Sequence, residues 1–327
     1  MESFSLKFFK SRNIKFFLIG FVFSLPFFWG ANVFQKNLED FLFWEKISDN
    51  PQLLAAQIIQ ENKLEQLKPI RNWQIPNLEI SAKSVVSVFL NSQGGQKILF
   101  SKESEKVLPI ASLTKLMTAN VILENYDLSQ TIKISKRAVA EEGETGYFKV
   151  GEIFFTEGLL YSSLVESSND ATAALVQAIG ENAFVDLMNL EAKNLGLKNT
   201  YFVNATGLDH NSSDVNQSTA EDLVIFAAYL LKTNLKILKI SALPEYDLYL
   251  ADRTFHHNVR NTDELLEDTD GIIGSKTGET PKAGSCLILV KKVPQDDGYL
   301  VNIILGSPDR FEEMKKLLNW LQSAYKW

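Results

Sequence analysis

Four basic residues, Lys7, Lys10, Arg12 and Lys15, precede an apolar run from Phe16 through Phe34 that is interrupted by Gly20, Ser24, Pro26, Gly30 and Asn32. The run approaches the length that spans a bilayer. With Lys36, Glu39 and Asp40 behind it, the charge bias sets the N-terminus in the cytoplasm and everything after the run outside. No small-x-small cleavage site follows, so a retained signal anchor is expected rather than a cleaved signal peptide. From Asn37 to Pro76 the pattern is mixed. Leu53-Leu54-Ala55-Ala56-Gln57-Ile58-Ile59, followed by polar residues at helical spacing, reads equally as a stalk or as a helix packed on the domain that follows.

The period then changes. β-Branched residues crowd Lys83 to Leu90, and Asn91-Ser92-Gln93-Gly94-Gly95 separates them from Lys97-Ile98-Leu99-Phe100, which predicts a hairpin. A helix is expected from Ser112, followed by a mostly helical middle with helices over Thr156 to Glu166, Ala171 to Ile179 and Phe184 to Leu195. Asn204 to Gln217 is a polar loop, and Ser218-Thr219-Ala220-Glu221 has the spacing of a capping box for the next helix. Strands return at Gly271 to Lys276, Ser285 to Val293 and Tyr299 to Leu305, and a last helix runs from Pro308 to Tyr325. Two early strands and three late ones imply one mixed sheet built from both ends of the chain, which cannot be cut into independent halves. The expected organisation is a cytoplasmic N-terminus and anchor over residues 1–36, a stalk or linker over 37–76, and one domain with a helical subdomain over 77–327.

Charge and composition narrow the choices. A net charge of -7, from 40 acidic and 33 basic residues, argues against a nucleic-acid surface. The single cysteine, Cys286, excludes an intramolecular disulfide and reads as a small core residue in the run Cys286-Leu287-Ile288-Leu289-Val290. Three histidines, His210, His256 and His257, provide poorly for a Ser/His/Asp triad. The adjacent pair His256-His257 is expected to point to opposite faces as loop polarity, and no metal site is expected.

The chemistry centres on Pro109-Ile110-Ala111-Ser112-Leu113-Thr114-Lys115. On a helix, Ser112 and Lys115 lie three residues apart on one face, within mutual reach. A serine hydroxyl needs a neighbour to take its proton, and a lysine can do so when burial or nearby positive charge lowers its pKa. A nucleophile at a helix start also sits where unpaired N–H groups favour developing negative charge. Two later stretches, Ser167-Ser168-Asn169-Asp170-Ala171 and Lys276-Thr277-Gly278, complete a three-part set. The second also suits a helix N-cap. The third suits a strand end along whose edge an extended peptide pairs, with Gly278 leaving room for close backbone approach.

In this order the three stretches, with Asp270-Gly271, Asn204-Ala205-Thr206-Gly207-Leu208-Asp209, Ser218-Thr219-Ala220 and Arg260-Asn261, resemble the D-alanyl-D-alanine carboxypeptidases, the low-molecular-mass penicillin-binding proteins of peptidase family S11. The resemblance covers Leu78 to Trp320. It implies an α/β (α+β) fold of the β-lactamase/transpeptidase type, with an antiparallel sheet flanked by helices plus a helical subdomain. It also implies that Ser112 attacks the carbonyl between two D-alanines at the end of a peptidoglycan stem peptide and that Lys115 takes its proton. Ser167 would relay a proton to the leaving amine. Asn169, Lys276, Thr277, Gly278 and Glu279 would bind substrate, with the Ser112 and Glu279 N–H groups as the oxyanion hole, and Arg310 would clamp the terminal carboxylate. β-Lactams would act as covalent inhibitors, and no metal or cofactor is implied.

The chain departs from the family pattern at Ser168, where glycine is usual, and at Glu279, whose carboxylate beside a carboxylate-binding site requires compensation. The spacer Ile272-Ile273-Gly274-Ser275 is longer than usual. The family's C-terminal β domain and amphipathic tail do not follow the last helix, which leaves the N-terminal segment as the expected membrane tether. The expectation is thus a single-pass bacterial membrane protein facing the cell wall, a serine D-alanyl-D-alanine carboxypeptidase. The alternatives are a D,D-endopeptidase, a β-lactamase, or a catalytically silent wall- or penicillin-binding protein. No glutamate lies between Asn204 and Gln217 to hydrolyse an acyl-enzyme quickly, which disfavours the β-lactamase.

Overall fold

The structure is a computed structural model that describes residue 37 and residues 69–91, 94–143, 147–209, 214–293 and 298–327. The expected membrane-spanning run, most of the expected stalk and His210 lie outside the described residues. Among the described residues no helix is long and apolar enough to cross a membrane.

The body is the compact unit Lys68–Trp327. Its centre is a five-stranded sheet of β1 (Ser84–Leu90), β2 (Gln96–Lys102), β5 (Ile272–Thr280), β6 (Gly284–Lys292) and β7 (Tyr299–Ser307); β3 (Glu245–Tyr249) and β4 (Phe255–Arg260) form a separate hairpin. The spatial order is β5-β6-β7-β1-β2. Every pairing is antiparallel, so the sheet is not mixed, and the two early strands join the three late ones through β1 and β7. Its inner strands are apolar on both faces because both faces are covered. In β6, Cys286, Ile288 and Val290 enter one core while Leu287 and Leu289 enter the other. The second core is closed by the last helix, α7 (Arg310–Ala324), through Met314, Leu317 and Leu321. The buried Glu313 carboxylate of α7 accepts the Ser81 and Ala82 N–H groups at 2.9 and 2.7 Å, which satisfies the otherwise unpaired backbone before β1.

The first core lies under α1 (Thr114–Asn125), α2 (Thr156–Val165), α3 (Asn169–Val176), α4 (Glu181–Asn194), α5 (Ala220–Thr233) and α6 (Leu235–Ser241). Helix α1 is buried from Thr114 through Ile122. A helix with no solvent face belongs at the centre of a fold, and this one carries Lys115 there with it.

Several boundaries differ from the sequence reading. Strand β5 continues through Lys276-Thr277-Gly278 to Thr280 instead of ending there, because Gly278, Glu279 and Thr280 still pair with Cys286, Ser285 and Gly284. A bulge between Ile272 and Gly274 takes up a residue of the long spacer. The cap of α5 is Thr219, whose Oγ1 accepts the Asp222 N–H at 3.0 Å. Ser218 instead pairs with Leu108 in a short ladder and shares a hydrogen bond with Thr200 Oγ1 at 2.7 Å. Residues 70–76, expected at the end of a stalk, pack on the body: Ile70 and Arg71 pair with Lys326 and Tyr325, and the Trp320 indole donates to Pro76 O at 2.7 Å. His256 and His257 lie on β4, and their Nδ1 atoms stand 2.6 Å apart, with His256 beside Glu152 and His257 beside Glu166. They do not diverge to opposite faces: the two rings meet, each with a carboxylate beside it, half-buried Glu152 and buried Glu166. Among the described residues no group of three or more His, Cys, Asp or Glu side chains is placed to hold a metal.

Candidate active site

Ser112 sits in a single 3-10 turn, Ala111–Leu113, which leads directly into α1. Ala111 is held at φ 46°, a conformation that a residue with a Cβ adopts only when its surroundings enforce it. Two glycines enforce it. A Cβ on Gly207, which is at φ +87°, would stand 2.1 Å from Ala111 O, and one on Gly278 would stand 2.9 Å from Ser112 N. The loop before Leu208 and strand β5 therefore grip the backbone of the nucleophile from two sides at distances that only glycine permits.

Lys115 is fully buried, and its Nζ reaches Ser112 Oγ at 2.8 Å, Asn169 Oδ1 at 2.7 Å and Thr206 O at 2.8 Å. The Asn169 amide is oriented by its own Nδ2, which donates to Glu142 O at 2.7 Å, so its oxygen faces the lysine. Asn169 Oδ1 and Thr206 O can only accept. A neutral amine has two hydrogens and one lone pair; the hydrogens go to those two oxygens, and the lone pair is left facing the Ser112 hydroxyl. Burial, and then the charge of Lys276, hold the Lys115 pKa well below that of an ordinary amine, with Glu141 partly opposing them. The residue is thus prepared as a base in the way its position demands.

Ser167 closes the loop between α2 and α3 at φ 62°. It is not among the three hydrogen-bond partners of Lys115 described above. Ser168, at φ -57°, caps α3 by accepting the Ala171 N–H at 3.1 Å. The position where the family favours glycine therefore needs no left-handed backbone here, and its side chain serves as the cap.

Strand β5 lies at the edge of the sheet, so one row of its backbone groups is open to an added extended chain. Lys276 is buried, donates to Thr277 O at 3.1 Å, and its pKa is lowered to about 7 by burial and by Arg310, against the opposing pull of Asp263. Thr277 Oγ1 meets Thr262 Oγ1 at 2.5 Å. Arg310, the first residue of α7, does reach this end of the site: its Nη1 donates to Glu279 Oε2 at 2.7 Å and to Gly278 O at 3.4 Å. Glu279 is thereby compensated by the residue expected to bind the substrate carboxylate. The structure thus gathers Ser112, Lys115, Asn169, Gly278, Glu279 and Arg310 through direct contacts, with Lys276 close enough to act on Lys115 through its charge. The sequence alone does not reveal Thr206 O and Glu142 O, since backbone carbonyls leave no residue-type signature, nor the Thr262 hydroxyl, whose partner Thr277 lies on another segment.

Two buried lysines of which one must be neutral and one charged make rate depend on pH in both directions. Below the lowered pKa of Lys115 the base is protonated and acylation of Ser112 falls. As pH rises through about 7, Lys276 loses the charge that attracts anionic groups to the site, and the rate falls again. A bell-shaped profile of acylation rate is expected, and Lys276→Arg, whose charge does not titrate, should move the alkaline limb upward by more than one pH unit. An unmoved limb would exclude Lys276 as its source.

Residues 71–308 match the sequence profile of the D-alanyl-D-alanine carboxypeptidases, peptidase family S11. The chain is 33% identical over 244 residues to the D-alanyl-D-alanine endopeptidase of Pseudomonas aeruginosa, covering 73% of this chain and 77% of that one. It is 32% identical over 257 residues to the D-alanyl-D-alanine carboxypeptidase DacF of Bacillus subtilis, covering 76% and 64%. Among solved structures, penicillin-binding protein D2 of Listeria monocytogenes in its cefotaxime-bound form superposes with a TM-score of 0.65 at 28% identity, over 75% of this chain and 98% of that one. A buried lysine with its lone pair on a serine, at the edge of an antiparallel sheet and within a profile match of this extent, leaves one assignment: the chain belongs to the D-alanyl-D-alanine carboxypeptidase family of serine peptidases, S11.

Proposed function

We propose that this protein trims peptidoglycan stem peptides ending in D-Ala-D-Ala as a serine carboxypeptidase, through an acyl-enzyme on Ser112. The observation that carries the reading is the Lys115 amine, buried, with both hydrogens committed to Asn169 Oδ1 and Thr206 O and its remaining valence 2.8 Å from Ser112 Oγ. Ser112 Oγ attacks the carbonyl of the penultimate D-alanine while its proton passes to Lys115. The developing oxyanion takes the N–H groups of Ser112 and Glu279. Collapse breaks the peptide bond, the leaving amine takes a proton relayed by Ser167, and water then cleaves the ester and regenerates Ser112. Asn169 keeps Lys115 in place, β5 pairs with the stem peptide through Thr277 and Gly278, and Lys276 and Arg310 draw the terminal carboxylate to the edge. Every step uses protein groups and water.

β-Lactams enter the same path and stop at the ester, as the cefotaxime-bound Listeria relative suggests for a close fold. A D,D-endopeptidase is the second reading, favoured by the 33% identity to the Pseudomonas endopeptidase; the chemistry at Ser112 is the same. We place the catalytic body outside the bacterial membrane, tethered through the apolar run Phe16 to Phe34, with residues 37–67 as the connection and the peptidase body from Lys68 onward.

Intact-mass measurement of the full chain with penicillin, beside Ser112→Ala, tests this directly. A one-to-one adduct on the wild type that the variant lacks is expected, with a lifetime long compared with β-lactamase turnover. A folded wild type that acquires no adduct would refute the mechanism.

A further inference from the structure

Glu279 is the one feature of the site that opposes the reading given above, and its geometry assigns it a task. Its carboxylate lies 2.7 Å from Arg310 Nη1, and its side chain is 63% exposed while that of Arg310 is 16% exposed. The arginine does not depend on the glutamate for its position. Its guanidinium lies over the Phe311 ring at 4.8 Å, and Nη1 also donates to Gly278 O. Its Nε is buried and has no hydrogen-bond partner among the described residues, and a buried guanidinium N–H left unpaired points to an acceptor that arrives later.

We propose that Glu279 is a specificity-determining residue: its carboxylate occupies Arg310 Nη1 in the resting site, and a substrate carboxylate has to displace it before it can bind there. This rests on the carboxypeptidase reading of the site. An exposed carboxylate is a weak competitor, since an ion pair open to solvent contributes little. It nevertheless acts on every anionic end and on no neutral one. The wild type should therefore discriminate only modestly between stem peptides with a free terminal carboxylate and those whose terminus is blocked or occupied by a cross-link. Replacing Glu279 by an uncharged residue should sharpen that preference.

The test is equilibrium binding by calorimetry, in the full-length Ser112→Ala background, of an acylated tripeptide ending in D-Ala-D-Ala and of its C-terminal amide. Turnover of the wild type on the same peptides is measured separately. The ratio of the two affinities, carboxylate over amide, is expected to rise about three- to tenfold in Glu279→Gln, and this rise should vanish when Arg310→Gln is also present. A ratio that stays within twofold in Glu279→Gln, with both peptides still bound, overturns the role of Glu279 and leaves the carboxypeptidase reading standing. An equal rise with and without Arg310 overturns it too, because Glu279 would then act as a general negative charge. If neither peptide binds nor is turned over, both the reading and this proposal fail together.

Discussion

Lys115→Arg is expected to slow acylation of Ser112 by about a thousandfold, within the range that a positioned general base contributes, while the protein still folds. The substitution separates two accounts of the lysine. If Lys115 served only as a buried positive charge, a guanidinium would supply it and much of the rate would survive. A guanidinium cannot shed its proton in a protein, and its planar fork cannot direct a lone pair at Ser112 Oγ. The pocket sets one nitrogen against three oxygens, Ser112 Oγ, Asn169 Oδ1 and Thr206 O, an arrangement that a compact amine fits. The measurement is the second-order rate of adduct formation with a chromophoric β-lactam, beside a thermal melt to establish folding. Retention of more than a tenth of the wild-type rate would mean that the base lies elsewhere.

Gly207→Ala carries the second large effect, and it reaches stability as well as rate. Gly207 sits at φ +87°, and the added methyl would meet Ala111 O at 2.1 Å. The left-handed backbone alone costs about 1 to 2 kcal/mol for a residue with a Cβ. The clash is with main chain, which cannot rotate away, so a total of about 2 to 4 kcal/mol is expected. Ala111 immediately precedes Ser112, and Thr206, the neighbour of Gly207, holds Lys115. Relief of the clash must therefore move nucleophile and base apart, and a displacement of about 1 Å is worth roughly a hundredfold in rate. Urea unfolding and acylation of the folded fraction read the two parts separately. A variant with wild-type midpoint and wild-type acylation would show that this loop does not position Ser112.

Much of this arrangement could be read from the residues in order, and the limits of that reading are physical. The apolar runs Ser285 to Val293 and Tyr299 to Leu305 announced strands, and their lack of alternation fits the burial of both faces that the structure shows. The Ser112 to Lys115 spacing announced a pair because helical geometry fixes who meets whom over three residues. Contacts between distant segments left no comparable trace. Arg310 meets Glu279 across 31 positions, and the departure at Glu279 looked like a defect until the arginine appeared beside it. The hairpin of β3 and β4 went unread because Glu245-Tyr246-Asp247-Leu248-Tyr249 mixes charge and aromatics without a clean apolar face. The histidines of β4 are placed by a different cause: their partners, Glu152 and Glu166, come from another part of the chain.

The pairing of β1 with β7 has a consequence for how the molecule comes into being. Val85 faces Ile304 and Val88 faces Val301, so the middle of the sheet joins residues separated by about two-thirds of the sequence. Loops of that size close slowly, and sheets rich in such contacts are late to form. As the chain emerges, the turn bearing Ser112 and helix α1 are made early, but the edge that is to receive substrate hangs on β6, and β6 hangs on β7. A nascent chain that stops before β7 would own the nucleophile and lack the sheet. Reactivity thereby waits on β7, and a product truncated before that strand would be inert.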